Sequence, residues 1–327
     1  MSETGSPDRV RVLYVMCKGR SGSTLTGLLL GAHPEVAPLG EISVLGKWIR
    51  RVEAGNVPTC TCGEPFPTCS FWSGMRQRLG GLWRGSVDLK TDDDAGFERD
   101  NLAVYRAALA ETGASVVLDK SKKLKRALRL AQIGEIDLTV LHVVRDPRAV
   151  AHSFRQRGVR KDETGRLKYN FYKNVARWTW LNAAMPLRLR QHPGYLRVRY
   201  EDIIADPRTA LAPALMRAGL GWDPAMDDFG SVEQHTLGGN RMRLSGVREV
   251  RPDTKFLHEV SGLEWVAGTA LALPTLLAHG YRVSRLAAAR QTLPEASGAA
   301  APIATASGAT EPSPEVARPA ETASEAA

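Results

Sequence analysis

Lys18-Gly19-Arg20-Ser21-Gly22-Ser23-Thr24 combines two glycines, two cations and three hydroxyls in one short run. That mixture suits a phosphate-like oxyanion. Glycines let the backbone come close, free N–H groups point at the anion, and a helix N-terminus behind them adds a favourable dipole. A Walker A loop would need Gly, four residues, Gly, Lys, then Ser or Thr. Here Gly22 is followed directly by Ser23, and the cation Arg20 precedes it. The departure argues against an ordinary ATPase or GTPase. A second group of anion donors lies downstream. Arg145 can offer a guanidinium fork, Ser153 a hydroxyl from the next helix, and Arg157, four residues later, shares that helical face. An ion pair of Arg145 with Asp146 at a helix start is the plainer alternative.

Two stretches carry a resemblance. Arg20-Ser21-Gly22-Ser23-Thr24-Leu25, then His33-Pro34, then Gly40-Glu41, resembles the 5′-phosphosulfate loop of sulfotransferases that use 3′-phosphoadenosine 5′-phosphosulfate (PAPS). It looks most like the tyrosylprotein sulfotransferases and their bacterial relatives. Val143-Val144-Arg145-Asp146-Pro147, with Ser153 eight residues after Arg145, resembles the family's 3′-phosphate motif. The resemblance covers residues 10–41, 115–157 and, loosely, 195–285. It implies PAPS as donor, no metal, and a sulfuryl group moved to a hydroxyl or, less often, an amine. It implies Glu41 as the base, Lys120 near the bridging oxygen of the donor, and Arg20 on the sulfuryl oxygens. It assigns nucleotide contacts to Lys18, Gly19, Arg20, Ser21, Gly22, Ser23, Thr24, Arg145, Ser153, Arg157 and Tyr200, with Asn240 and Arg243 as further candidates. Small-molecule sulfotransferases use a histidine two residues after the lysine; that position is Lys122 here. Should Glu41 only cap the next helix, His142 and His152 become the alternative bases. The rival functions are a P-loop kinase using ATP and a nucleotide-binding regulatory protein without catalysis.

The elements that must hold these residues follow from pattern. Val10–Met16 is β-branched and apolar, a buried strand. Leucines at helical spacing follow to Gly31, and His33-Pro34 stops the helix. Residues 73–112 read as helical with a polar break at Thr91–Asp94. Ser115–Leu118 and Thr139–Val144 read as strands, with a helix carrying Leu124, Leu128 and Ile133 between them. Asp146 and Pro147 suit an N-cap and a first helical position, opening a helix to about Arg157. A helix over 168–185, a strand over 195–200, a helix over 207–219, a closing loop over 231–262 and a helix over 263–278 complete the order. Strands alternating with helices imply an α/β, P-loop-type three-layer fold with a central, mainly parallel sheet. Composition places a disordered lead at 1–8 and a disordered Ala/Ser/Pro/Glu-rich tail at 287–327, and the resemblance implies one sulfotransferase domain at 9–286 between them.

The 327 residues carry a formal charge of +9 and 43% hydrophobic residues, enough for a core and suited to an anionic ligand. The densest basic cluster, Lys120, Lys122, Lys123, Lys125 and Arg126, is soon interrupted by apolar residues, so nucleic acid is not an expected partner. Lys122, Lys123 and Lys125 read as solvated. No run is apolar enough for a membrane helix and the start lacks a signal-peptide core, so a cytoplasmic protein is expected. The acceptor, whether small molecule, carbohydrate or peptide, is not legible, nor is the oligomeric state. Cys60, Cys62 and Cys69 cluster in a loop, out of four cysteines in all. Three cysteines could bind zinc with a fourth ligand from elsewhere. Cys-x-Cys is not the usual spacing, however, and no histidine or fourth cysteine is near in sequence. The expectation is a structural staple without metal.

Overall fold

The structure is a computed structural model and describes residues 9–84, 87–156, 170–238 and 250–292. Five strands form one wholly parallel sheet: β1 (Val10–Met16), β2 (Val36–Gly40), β3 (Val116–Lys122), β4 (Ile136–Val144) and β5 (Tyr195–Arg199), in the order β2-β3-β1-β4-β5. The central strand β1 is buried on both faces. Val10, Val12, Tyr14 and Met16 join one apolar cluster, and Leu13 and Val15 join another. This is the period-2 alternation of a strand covered on both sides.

Thirteen helices are described: α1 (Ser23–Gly31), α2 (Leu45–Glu53), α3 (Ser70–Leu79), α4 (Gly81–Arg84), α5 (Asp94–Thr112), α6 (Leu124–Leu130), α7 (Pro147–Arg155), α8 (Phe171–Leu189), α9 (Tyr200–Ala205), α10 (Pro207–Arg217), α11 (Phe256–Glu259), α12 (Gly262–Ala278) and α13 (Arg285–Thr292). Helices α2, α3 and α5 cover one face of the sheet, while α1, α9 and α10 cover the other. A third cluster joins α7, α8 and α12 around Trp178, Phe256 and Trp265. Asp146 caps α7 by accepting from the Arg148 N–H at 2.8 Å, with Pro147 in the first turn, as its residue types require.

Several expectations need revision. Val36–Gly40 was not legible as a strand; it contains Pro38, which a sheet tolerates at its edge, and β2 is an edge strand. β3 continues past Leu118 through Asp119-Lys120-Ser121-Lys122. Residues 287–292, assigned by composition to the tail, belong to α13, where Ala288 is buried and Arg285 donates to the Leu257 and Val260 carbonyls. Among the described residues no helix is long and apolar enough to cross a membrane.

The polar end of β3 is held by a buried network. Arg126 donates to Asp119 at 3.0 Å, to the Leu89 carbonyl at 2.7 Å and to the Tyr105 hydroxyl at 3.0 Å. Tyr105 in turn donates to Asp119 at 2.8 Å. In sequence Arg126 is one member of the densest basic cluster; its side chain is only 5% exposed. Asp119→Ala strands that guanidinium in the interior, and breaking a buried pair this way costs about 3–5 kcal/mol. The expected result is a lower urea midpoint at unchanged m-value. A loss within about 0.5 kcal/mol, the usual range for surface changes, would show that the network does not hold β3.

Candidate active site

Most of the residues singled out for chemistry lie at or just beyond the carboxyl end of a strand, with Ser153 further along on α7. The loop 17–22 follows β1, Glu41 follows β2, Lys120 and Lys122 end β3, Arg145 follows β4 and Tyr200 follows β5. This is the edge at which open parallel sheets bind ligands. Register brings the ends together: Met16 pairs with Lys122 and with His142, Gly40 with Asp119, and Val144 with Arg199.

The loop after β1 turns sharply. Arg20 has φ 75° and Gly22 has φ 92° at the N-cap of α1. A Cβ on Gly22 would lie 2.1 Å from the Tyr200 ring, so glycine is required there by both conformation and space. The Ser21 hydroxyl is buried with no hydrogen-bond partner among the described residues. Lys18 and Arg20 lie over the Phe154 ring, at 4.2 and 5.9 Å from its centroid. Burial, and then the nearby Arg177 charge, draw the Lys18 ammonium down from its ordinary value. Cations crowded enough to oppose one another mark a place where an anion relieves repulsion. Ser23 and Thr24 are buried in the first turn of α1.

Arg145 joins this loop to the other motif. One nitrogen donates to the Arg20 carbonyl at 3.4 Å and another to Asp253 at 2.8 Å. Its guanidinium carbon lies 4.6 Å from the centre of the Tyr200 ring. The plainer alternative, an ion pair of Arg145 with Asp146, is not formed among the described residues; Asp146 holds Arg148 instead, at 2.6 Å. Ser153 is half-buried on α7, between His152, which meets Glu259, and Phe154, which meets the loop. Arg157, Asn240 and Arg243 lie outside the described residues.

Lys120 is buried and lies across α1. A Cβ on Gly27 would sit 2.1 Å from its Cδ and 2.8 Å from its Nζ. Alternation along β3 explains the placement: Asp119 turns to the Tyr105–Arg126 side while Lys120 turns to α1. Glu41 precedes a 3-10 turn at Ile42–Val44, but its carboxylate makes no capping hydrogen bond; the Glu41 carbonyl accepts from the Val44 N–H at 3.0 Å. The carboxylate instead pairs through Oε1 with Lys122. Lys122 is therefore not a solvated lysine. It has φ 66°, where β3 shifts register against β1, and this backbone turn re-aims the side chain.

The alternative bases are committed elsewhere. His142 is buried between Tyr195 and Asn182, at 2.8 and 2.9 Å, and burial draws its imidazole down to about 3. His152 meets Glu259 at 2.9 Å.

No protein-family model matches the chain, and no curated protein matches its sequence. Solved structures do. The sulfotransferase domain from the Synechococcus PCC 7002 olefin synthase superposes with a TM-score of 0.53 at 20% identity, over 84% of this chain and 97% of that one. The sulfotransferase domain from the curacin biosynthetic pathway gives 0.52 at 17% identity, over 84% of this chain and 99% of that one. The fold is that of a sulfotransferase domain. Within this sulfotransferase fold, sequence reasoning missed Gly27, Lys122, Arg177 and Asp253. Gly27 alone left a local signal, since a glycine inside a helix costs stability relative to alanine.

Proposed function

We propose that the protein is a PAPS-dependent sulfotransferase acting on an acceptor hydroxyl. The observation that carries this is one meeting of parts: a glycine loop without the Walker lysine, bonded through the Arg20 carbonyl to Arg145 from the next strand, with a buried lysine and a carboxylate at the same sheet edge. The residues fit the donor. The Ser21 hydroxyl is a buried donor awaiting an acceptor. Gly22 lets the Tyr200 ring pack directly against the loop backbone. The surrounding charge is positive.

In this reading the loop 18–24 holds the 5′-phosphosulfate, and Arg145 and Ser153 read the 3′-phosphate. Arg157 adds to that reading, and Tyr200 lies beside Arg145 and the loop. The acceptor oxygen forms a bond to sulfur as the bond between sulfur and the bridging oxygen breaks. The acceptor proton passes to Glu41, whose Oε2 has no hydrogen-bond partner among the described residues. Lys120 and Arg20 stabilise charge on the leaving phosphate and the sulfuryl oxygens. Lys122 holds Glu41 in place. The products are a sulfate ester and 3′,5′-ADP.

The test is ligand selectivity. Stabilisation by a ligand grows as RT ln(1 + [L]/Kd), so 3′,5′-ADP is expected to raise Tm well above the shifts given by AMP or ATP at equal concentration. Equal shifts with AMP would remove Arg145 and Ser153 from the reading. Phosphoryl transfer from ATP, without sulfuryl transfer from PAPS, would overturn the reaction itself.

A further inference from the structure

The three cysteines of the 60–69 loop take no part in the proposed reaction, yet they are not scattered. Cys60 and Cys69 are buried, Cys62 is half-buried, and all are free thiols. The expectation that no histidine lies near them fails in three dimensions. His235, 166 residues beyond Cys69, brings its Nδ1 to 3.2 Å from Cys69 Sγ and 3.9 Å from Cys60 Sγ. The three sulfurs and this nitrogen all lie within 4.8 Å of one another. We propose that Cys60, Cys62, Cys69 and His235 form a structural zinc site.

Distances separate this from the alternatives. The Cys62–Cys69 and Cys69–Cys60 sulfurs are both 3.7 Å apart. A disulfide needs about 2.0 Å. A tetrahedral zinc with zinc–sulfur bonds of about 2.3 Å sets its sulfurs about 3.8 Å apart, and a histidine nitrogen about 3.6 Å from each sulfur. The observed sulfur spacing is close to that edge, and the two nitrogen distances bracket the second figure. Three sulfurs and one imidazole within 4.8 Å of one another are a donor set that suits zinc.

The surroundings complete the site. Gly63, with φ 95°, makes the tight turn after Cys62. Cys69 is the N-cap residue of α3, where the helix dipole favours a thiolate. The far nitrogen of His235 meets Glu233 Oε1 at 3.1 Å, the carboxylate–histidine arrangement that orients a ligating ring. Phe71 stacks on the ring, with centroids 5.7 Å apart and planes 8° from parallel.

All four positions are filled by the protein, so the ion braces and does not catalyse. What it braces is the wall beside Glu41. Thr61 bonds the Gln234 carbonyl and accepts from the Thr236 N–H at 2.8 Å. Leu237 then bridges Gly40, and its carbonyl accepts from the Glu41 N–H at 2.6 Å. The site joins two segments distant in sequence directly behind the candidate base.

The experiment uses the full chain without a polyhistidine tag, purified under reducing conditions, with metal counted by mass spectrometry. One zinc per chain is expected. Chelator-stripped protein titrated with Co(II) should show the visible bands of tetrahedral cobalt-thiolate. Glu233→Gln, which leaves all four ligands in place, should weaken zinc binding by about 10–100-fold. His235→Cys should keep a tetrahedral spectrum, shifted toward four-sulfur ligation, and Cys69→Ser should abolish it. The Glu233 and His235 variants keep the test decidable if Cys69→Ser does not fold. Folded protein with reduced thiols that takes up neither zinc nor Co(II), or a disulfide among these cysteines, overturns the proposal.

Discussion

Replacing Glu41 by Gln is expected to lower kcat by about 10²–10⁴, the range for a lost general base, while 3′,5′-ADP binds normally. The substitution keeps the shape of the side chain and removes its basicity. The competing role, a cap on the following turn, finds no support in the geometry, because the carboxylate makes no capping bond. The pair with Lys122 is lost in the variant, but both side chains are 20–25% exposed, so stability should change little. Single-turnover kinetics on an acceptor whose hydroxyl is un-ionised separate chemistry from binding. A kcat within a few-fold of the parent would remove Glu41 from proton transfer.

Replacing Lys120 by Met should cost about 10²–10³ in kcat, comparable to deleting one donor from a preorganised anion site. The methionine keeps an apolar stem in the slot over Gly27, where the lysine lies buried, so the fold should tolerate the change. Leaving-group dependence is the informative measurement. If Lys120 stabilises charge on the departing phosphate, the variant loses more in the forward step than in its affinity for 3′,5′-ADP. Equal losses in both would make Lys120 a binding residue only.

Much of this was legible before any coordinates. The strand–loop–helix at 10–31 and the strand–Arg145–helix unit carry their own local patterns, and local patterns fix local structure. What escaped depends on partners distant in sequence. Lys122 looks solvated in a run of lysines; only the pairing of β2, β3 and β1 sets Glu41 beside it. Asp253 reaches Arg145, and the Arg177 charge acts on Lys18, from separate segments that carry no motif. The cysteine loop was read without its fourth member because His235 lies 166 residues beyond Cys69 in sequence. Pro38 disguised an edge strand, and the alanines of α13 read as tail because docking, not composition, orders them.

Gly27 places two selective pressures in conflict. Alanine inside a helix is worth about 0.8–1.0 kcal/mol over glycine, so any drift or engineering that rewards thermal tolerance alone favours filling this position. The added methyl would occupy the room now taken by the Lys120 stem. Improvement of the helix would therefore come with displacement of the lysine stem, and a fold hardened at this position would be a more durable protein with its buried lysine moved from its slot.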